Sequence, residues 1–336
     1  MTGQLVVHQA GPSVSVQDLG RPGNLAFGLS PGGAADRLAH IEGAVLLGQG
    51  LDCASLEMAG FGGEFELTAD GCIALTGAPM ITKLDGQPLV WNASHSVLAG
   101  QRLSIGSVTA GMYGYLHIAG GIDAPAFLGS RAAHLASGIG ALLRAGDELP
   151  LGAADGSGRA GMKITVADRF SGGVVRVLPS VQTALFPAET LARFEATDFA
   201  PTSRRNRQGV QMHFDGAPFA AGAQLTILSE NMIAGDIQMT GVGEPFVLLP
   251  ECQTTGGYPR IATVIPDDLP KVAQASPATP IRFVFVTHEA ALKAHRPPER
   301  YRLDVRATLQ PLIRDPRNIP DLLGYQLISG AITGWE

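Results

Sequence analysis

The chain has 336 residues, 45% of them hydrophobic and 16% charged, with a formal net charge of −6. That length and apolar content predict a globular protein of two domains and exclude disorder. The negative balance, with Arg204-Arg205-Asn206-Arg207 as the one dense basic patch, argues against a nucleic acid or an anionic membrane surface as partner.

Glycine (43) and proline (23) punctuate the chain, and the runs between them are short and rich in β-branched and aromatic residues. In chain order these are QLVVHQ, EFELTA, CIALTG, RLSIGSV, YGYLHIA, MKITVA, VVRVLP, QLTILS, PFVLLP and IRFVFV. So many short candidate strands predict a mostly β protein of barrels or sandwiches. Helices are expected at 34–48, where Leu38, Ile41, Val45 and Leu46 form a stripe behind Asp36, at 188–196, at 288–296 and near the C-terminus in PDLLGYQLIS. The glycine-rich 151–161 reads as a linker, placing a boundary near 170. The expected division is 1–170, 171–290 and an extension, 291–336, outside the barrels. The N-terminus lacks a basic start and a long apolar core, and no apolar run approaches the roughly 20 residues a bilayer needs. The cytoplasm is the expected location.

Most chemical motifs are absent. There is no Gly-Lys pair, hence no P-loop, and no HExxH, GxSxG, EF-hand loop or Ala-Met-Lys-Met biotinylation site. Eight dispersed histidines predict no metal site. Cys53, Cys72 and Cys252 show no CxxC spacing, and Cys252, next to Glu251, reads as a structural thiol. Asp18 with Arg21 reads as an ion pair fixing a turn, and Glu57 as a buried carboxylate. What remains is ECQTTGGYPR (251–260), which follows the apolar run FVLLP. Gly256 and Gly257 offer a backbone free to take positive φ, while Gln253, Thr254 and Thr255 offer donors suited to a carbonyl or carboxylate. Such an array stabilises an oxyanion rather than moving a proton.

SENMIAGDIQ (229–238), GEPFVLLPECQTTGGYPRIATVIPDDLPKVAQ (243–274) and GPSVSVQDLGRPG (11–23) resemble the allophanate hydrolase subunit 2 family, also called the 5-oxoprolinase C-subunit family. PGGAADRLA (31–39), SLEMAGFGGEFEL (55–67), ALTGA (74–78), YLHIAGGIDAPAFLGSR (115–131) and AGDEL (145–149) extend the resemblance over about residues 4–290. It implies two cyclophilin-like β-barrel domains and a B-subunit (subunit 1) homologue as partner, with an A-subunit homologue in the 5-oxoprolinase version. The activity implied is ATP-dependent opening of 5-oxo-L-proline to L-glutamate. Two alternatives come with the family: carboxyl transfer from carboxybiotin to urea, and non-catalytic antagonism of a kinase inhibitor. Gln211 stands where the family carries a second arginine, Gly43-Ala44 where it carries Ala-Asn, and SGIGALLRAGD (137–147) is a shortened glycine-rich stretch. The site expected on this basis is a cradle of Gln253, Thr254, Thr255, Gly256, Gly257 and Tyr258, with Asn206, Arg207 and Gln238 facing it. Arg207 would grip an anionic group and Glu230 would act as base, with Ser229 a weaker candidate. Asp18, Arg21 and Asp36 would line a cleft of the N-terminal domain.

Overall fold

The computed structural model describes residues 3–154, 159–219 and 227–313. The expected helix PDLLGYQLIS, and the first half of the expected strand QLTILS, lie outside them. Strands dominate. In the first half a six-stranded sheet runs in the order Glu148–Pro150, Gln4–Ala10, Phe61–Leu67, Arg102–Val108, Met80–Leu84, Gln87–Pro88. It curls against a second sheet ordered Val14–Gln17, Ser55–Ala59, Tyr113–Ile118, Gly71–Gly77, Ala93–Val97, Met162–Lys163, Gln310–Pro311. Alternating residues of the two, among them Leu5, Val7, Leu56, Met58, Phe65, Ile73, Leu103 and Leu116, fill one aliphatic core.

The second half is one seven-stranded curled sheet: Ala200–Asn206, Gly209–His213, Pro245–Leu248, Asp236–Met239, Arg260–Val264, Gly173–Leu178, Ile281–Phe285. Only Gly173–Leu178 and Ile281–Phe285 pair in parallel among its strands. Its core is aromatic. The rings of Phe194, Phe199, Phe219 and Phe283 pack with centroids 5.2–5.8 Å apart, the distance at which tilted and stacked pairs attract.

Helices serve as packing and joints. Helix α1 (Arg37–Leu47) is shorter than expected because Asp36 caps it, accepting from the backbone N–H of Leu38 and Ala39 at 3.1 Å each. Gly48, at φ 72°, ends it. Helix α2 (Ala188–Ala196) places Phe194 in the aromatic core. Helix α3 (Leu269–Gln274) carries Gln274, which is fully buried and joins the halves. Its amide donates to Asp36 at 2.7 Å and to the Tyr113 carbonyl at 2.9 Å, and its oxygen accepts from the N–H groups of Met112 and Tyr113. Ala34, Ala35, Ala39, Tyr113 and Tyr115 of the first half belong to the same buried cluster as the aromatic core.

Helices α4 (His288–Ala294) and α5 (Pro298–Arg306) follow the last strand of the second half. The described part of the tail is not an appendage. Tyr301 and Val305 pack with Ile41, Val45 and Leu46 of α1, and Gln310–Pro311 adds an outer strand beside Met162–Lys163. Among the described residues no helix is long and apolar enough to cross a membrane.

Candidate functional site

The chain leaves strand Pro245–Leu248 and turns through Glu251 and Cys252, both buried, before reaching the exposed Gln253. Thr255–Gly256 pairs antiparallel with Glu230–Asn231, and the Ile227 N–H donates to the Gly257 carbonyl at 2.8 Å. The two glycines do not take positive φ. They supply room instead: a β-carbon at 256 would sit 3.0 Å from Gln238 Nε2, and one at 257 would sit 3.1 Å from the Ile227 carbonyl. Gln253 donates to Gln238 Oε1 at 3.1 Å, and Gln253, Thr255 and Tyr258 face solvent.

Beneath this loop lies Arg260, which sequence reasoning passed over. It is 7% exposed. Nη2 donates to Glu230 Oε2 at 2.9 Å, Nη1 to Asp236 Oδ2 at 3.1 Å and to the Asn231 carbonyl at 2.7 Å, and Nε to Gln182 Oε1 at 3.1 Å. The Gln182 amide in turn donates to Glu230 Oε2 at 2.7 Å. Arg260 thus fixes one edge of the small ladder, through the Glu230 carboxylate and the Asn231 carbonyl. A guanidinium suits the task because its five donors fan out in a plane. The signal was present: an arginine opening the apolar run RIATV needs carboxylates, and SENMIAGDIQ carries two. Gln182 had no such signal, lying nearly fifty residues upstream of Glu230.

Cys252 is a structural thiol. Burial, and then the nearby Asp236 carboxylate, push its pKa up to about 12, so it is no nucleophile at neutral pH. The charge responsible is Asp236, not the sequence neighbour Glu251.

Asn206 and Arg207 do not face the loop. Asn206 Oδ1 closes the hairpin between Ala200–Asn206 and Gly209–His213, accepting from the N–H groups of Gln208 and Gly209 at 2.8 and 3.3 Å. Arg207 points into the junction between the halves, where Nε meets Glu251 Oε1 at 2.6 Å, Nη1 meets Glu57 and Nη2 donates to the Gly33 carbonyl at 2.5 Å. Both residues line a cavity of about 410 Å3 between the halves, together with Glu57, Tyr113, Arg205 and Glu251. Gln211, in place of the family's arginine, bonds to Glu244 at 2.5 Å and Thr202 at 3.2 Å on the sheet, away from this cavity.

The three N-terminal candidates are likewise structural anchors. Asp18 accepts from the Gly20 N–H at 2.7 Å, the Ser130 hydroxyl at 2.6 Å and the Arg131 N–H at 2.7 Å. It makes no direct pair with Arg21, which instead donates to the carbonyls of Phe127 and Ala132. Asp36 caps α1 and also receives Arg169 Nε at 2.5 Å. Arg169 then clasps Glu42 with both Nη atoms at 2.9 and 2.7 Å, and Tyr301 donates to Glu42 at 2.6 Å. Tyr115 connects this group to Arg207: its hydroxyl donates to Glu57 Oε2 at 2.6 Å and accepts from the Asp36 N–H at 2.8 Å. A continuous buried chain therefore runs from Glu251 through Arg207, Glu57, Tyr115, Asp36, Arg169 and Glu42 to Tyr301. Every charge in it is paired, as burial requires. Among the described residues no cluster of His, Cys, Asp or Glu is disposed to hold a metal ion.

A model of the carboxyltransferase domain, subdomains A and B, matches residues 27–285. The chain is 35% identical to the 5-oxoprolinase C subunit of Escherichia coli strain K12, over 88% of this chain and 96% of that protein. It is 33% identical to the 5-oxoprolinase C subunit of Haemophilus influenzae, over 87% and 94% of the respective lengths. In fold it is similar to the crystal structure of the K. lactis urea amidolyase, with TM-score 0.80 and 24% identity over 93% of this chain and 21% of that one. This chain thus spans about a fifth of that larger enzyme. With most of its length matched by the family model, the chain belongs to the carboxyltransferase domain family, subdomains A and B.

Proposed function

We propose that this chain is the C subunit of an ATP-dependent 5-oxoprolinase that opens 5-oxo-L-proline to L-glutamate in the cytoplasm. The observation that carries the reading is the likeness to two proteins named as 5-oxoprolinase C subunits, which spans nearly their whole length. It acts with B-subunit and A-subunit homologues, and divides near residue 170 into two barrel domains, the second ending near 290. Phe27 and Leu228, 86% and 88% exposed, adjoin Gly28 and Ile227, which meet the loop at Thr254 and Gly257, and they suit a face that the B-subunit homologue covers.

In this reading the lactam carbonyl lies over the loop, within reach of the Gln253 amide and the hydroxyls of Thr254, Thr255 and Tyr258. As the amide is attacked, charge grows on its oxygen, and one preorganised donor is worth about 3–4 kcal/mol of the barrier. Arg260 and Gln182 hold Glu230 by the single oxygen Oε2, which leaves Oε1 to take a proton from the attacking water. Arg207 is left out of substrate binding because each of its donor nitrogens already has a partner. ATP, when bound, supplies activation of an unstrained lactam that is otherwise a poor electrophile. The deciding experiment mixes the purified chain with its A-subunit and B-subunit homologues, ATP and 5-oxoproline. Glutamate formed in step with ADP supports the reading, and an assembled complex that forms none removes it.

A second reading, carboxyl transfer from carboxybiotin to urea or another amide, is favoured by the family description and by the urea amidolyase fold. It predicts that free biotin or a biotinylated carrier binds near Gln253, which titration of the wild-type chain and of Gln253→Ala measures.

A further inference from the structure

A second cavity, of about 310 Å3, lies where three parts of the chain converge. Leu38 and Ala167–Arg169 come from the first half and the connecting segment, Arg176 and Asp267–Lys271 from the second half, and Lys293, Arg296 and Tyr301 from the tail. Five basic and three acidic side chains line it. Two of the three acids, Asp267 and Asp268, already hold cationic partners. Asp268 receives Arg176 through two nitrogens at 2.7 and 2.8 Å. Asp267 accepts from the His295 ring at 2.8 Å and the Arg296 N–H at 2.9 Å, and Asp168 Oδ1 accepts from the N–H groups of Phe170 and Ser171. Arg169 is neutralised from behind by Asp36 and Glu42.

The side chains of Lys293 and Arg296 differ. Both are exposed at the cavity, and neither makes an ion pair among the described residues. Lys271, deeper in, holds Nζ at 3.0 Å from the Val174 carbonyl and 3.4 Å from Asp268, with room in its donor set for a further acceptor. A recess in which two of the three carboxylates hold cationic partners, while Lys293 and Arg296 outnumber the one unpaired carboxylate, Asp168, selects an anion with several oxygens. Its volume is at the lower end for small-molecule sites, about 300–1,000 Å3, which suits a phosphate tail rather than a whole nucleotide.

We propose that this three-way junction binds the polyphosphate group of a nucleotide, gripped by Lys293, Arg296 and Lys271. The inference rests on the ATP dependence proposed above. Arg169 and Tyr301 belong both to this cavity and to the buried chain that ends at Glu251, so an anion here would sit against the elements that join the halves.

Calorimetric titration of the full chain with ATP, inorganic triphosphate, inorganic phosphate and glutamate tests the proposal. ATP and triphosphate should bind with affinities within about threefold of each other and more tightly than phosphate or glutamate. The double reversal Lys293→Glu with Arg296→Glu, both exposed and therefore compatible with folding, should weaken both at least tenfold. In the assembled enzyme the same variant should raise KM for ATP and leave KM for 5-oxoproline unchanged. Equal binding by wild type and variant, no binding of triphosphate by wild type, or glutamate binding more tightly than triphosphate would each overturn it. If triphosphate binds as described but the wild-type complex makes no glutamate, the oxoprolinase reading fails and the anion site stands.

Discussion

Arg207 and Arg260 each hold two carboxylates, in opposite surroundings. The partners of Arg207, Glu57 and Glu251, are 2% and 1% exposed, and the cluster lies in the wall of the cavity between the two halves. Those of Arg260 are Asp236, 1% exposed, and Glu230, 48% exposed beneath a loop of solvent-facing donors. The same ionic chemistry is a rivet where both ends are sealed and a scaffold for a site where one end opens to water.

The largest effect should come from breaking the sealed member. Arg207→Ala leaves two buried carboxylates without their cation and should cost about 3–5 kcal/mol, read as a lower denaturant midpoint. If the loop is the site, Gln253→Ala and Thr255→Val should each lower kcat of the assembled enzyme by about 10²–10³, while the exposed side chains cost under about 0.5 kcal/mol of stability. A loop variant that unfolds the protein, or an Arg207 variant that does not, would collapse the contrast.

Gly43 sharpens it from the helix side. Alanine in a helix interior ordinarily gains about 1 kcal/mol over glycine. Here a β-carbon would overlap the ring of His117, which is held by Thr76 Oγ1 at 2.9 Å. Gly43→Ala should therefore destabilise by about 1–3 kcal/mol in thermal or chemical unfolding.

The buried interior also predicts a pH dependence. Burial pushes the pKa values of His40 and His117 below the ordinary histidine value, and for His117 the neighbouring His40 adds to the shift. Below about pH 6.5 the unfolded chain takes up protons that these folded imidazoles refuse. Stability should hold above that pH and fall below it, by up to about 1.4 kcal/mol per pH unit for each histidine. Denaturation midpoints between pH 7.5 and 5, with His117→Phe flattening the slope, check this. The smallest effect is at Cys252: the folded protein should resist alkylation there at pH 8, and Cys252→Ala should keep full activity.

The mostly β character was legible because glycine and proline break the chain into runs too short for helices. Val14–Gln17 and Asp236–Met239 alternate apolar and polar residues but over only four positions each, and Ala200–Asn206 is mostly polar with no alternation, so all three escaped. Asp36 was correctly read as an end-of-helix charge. Its second bond, to Arg169, was not readable from spacing, because 133 residues separate the two.

Local chemistry therefore settled what each segment is: short strands, the α1 cap, the exposed donor loop, and a thiol with no activating neighbour. Tertiary structure alone settled which charge meets which. It drew Arg207 away from the loop to Glu57 and Glu251, placed Arg260 beneath the loop, and brought the tail back onto α1. The reason is physical: a strand pattern depends on neighbours one or two residues away, whereas a buried ion must find its partner wherever the fold delivers one.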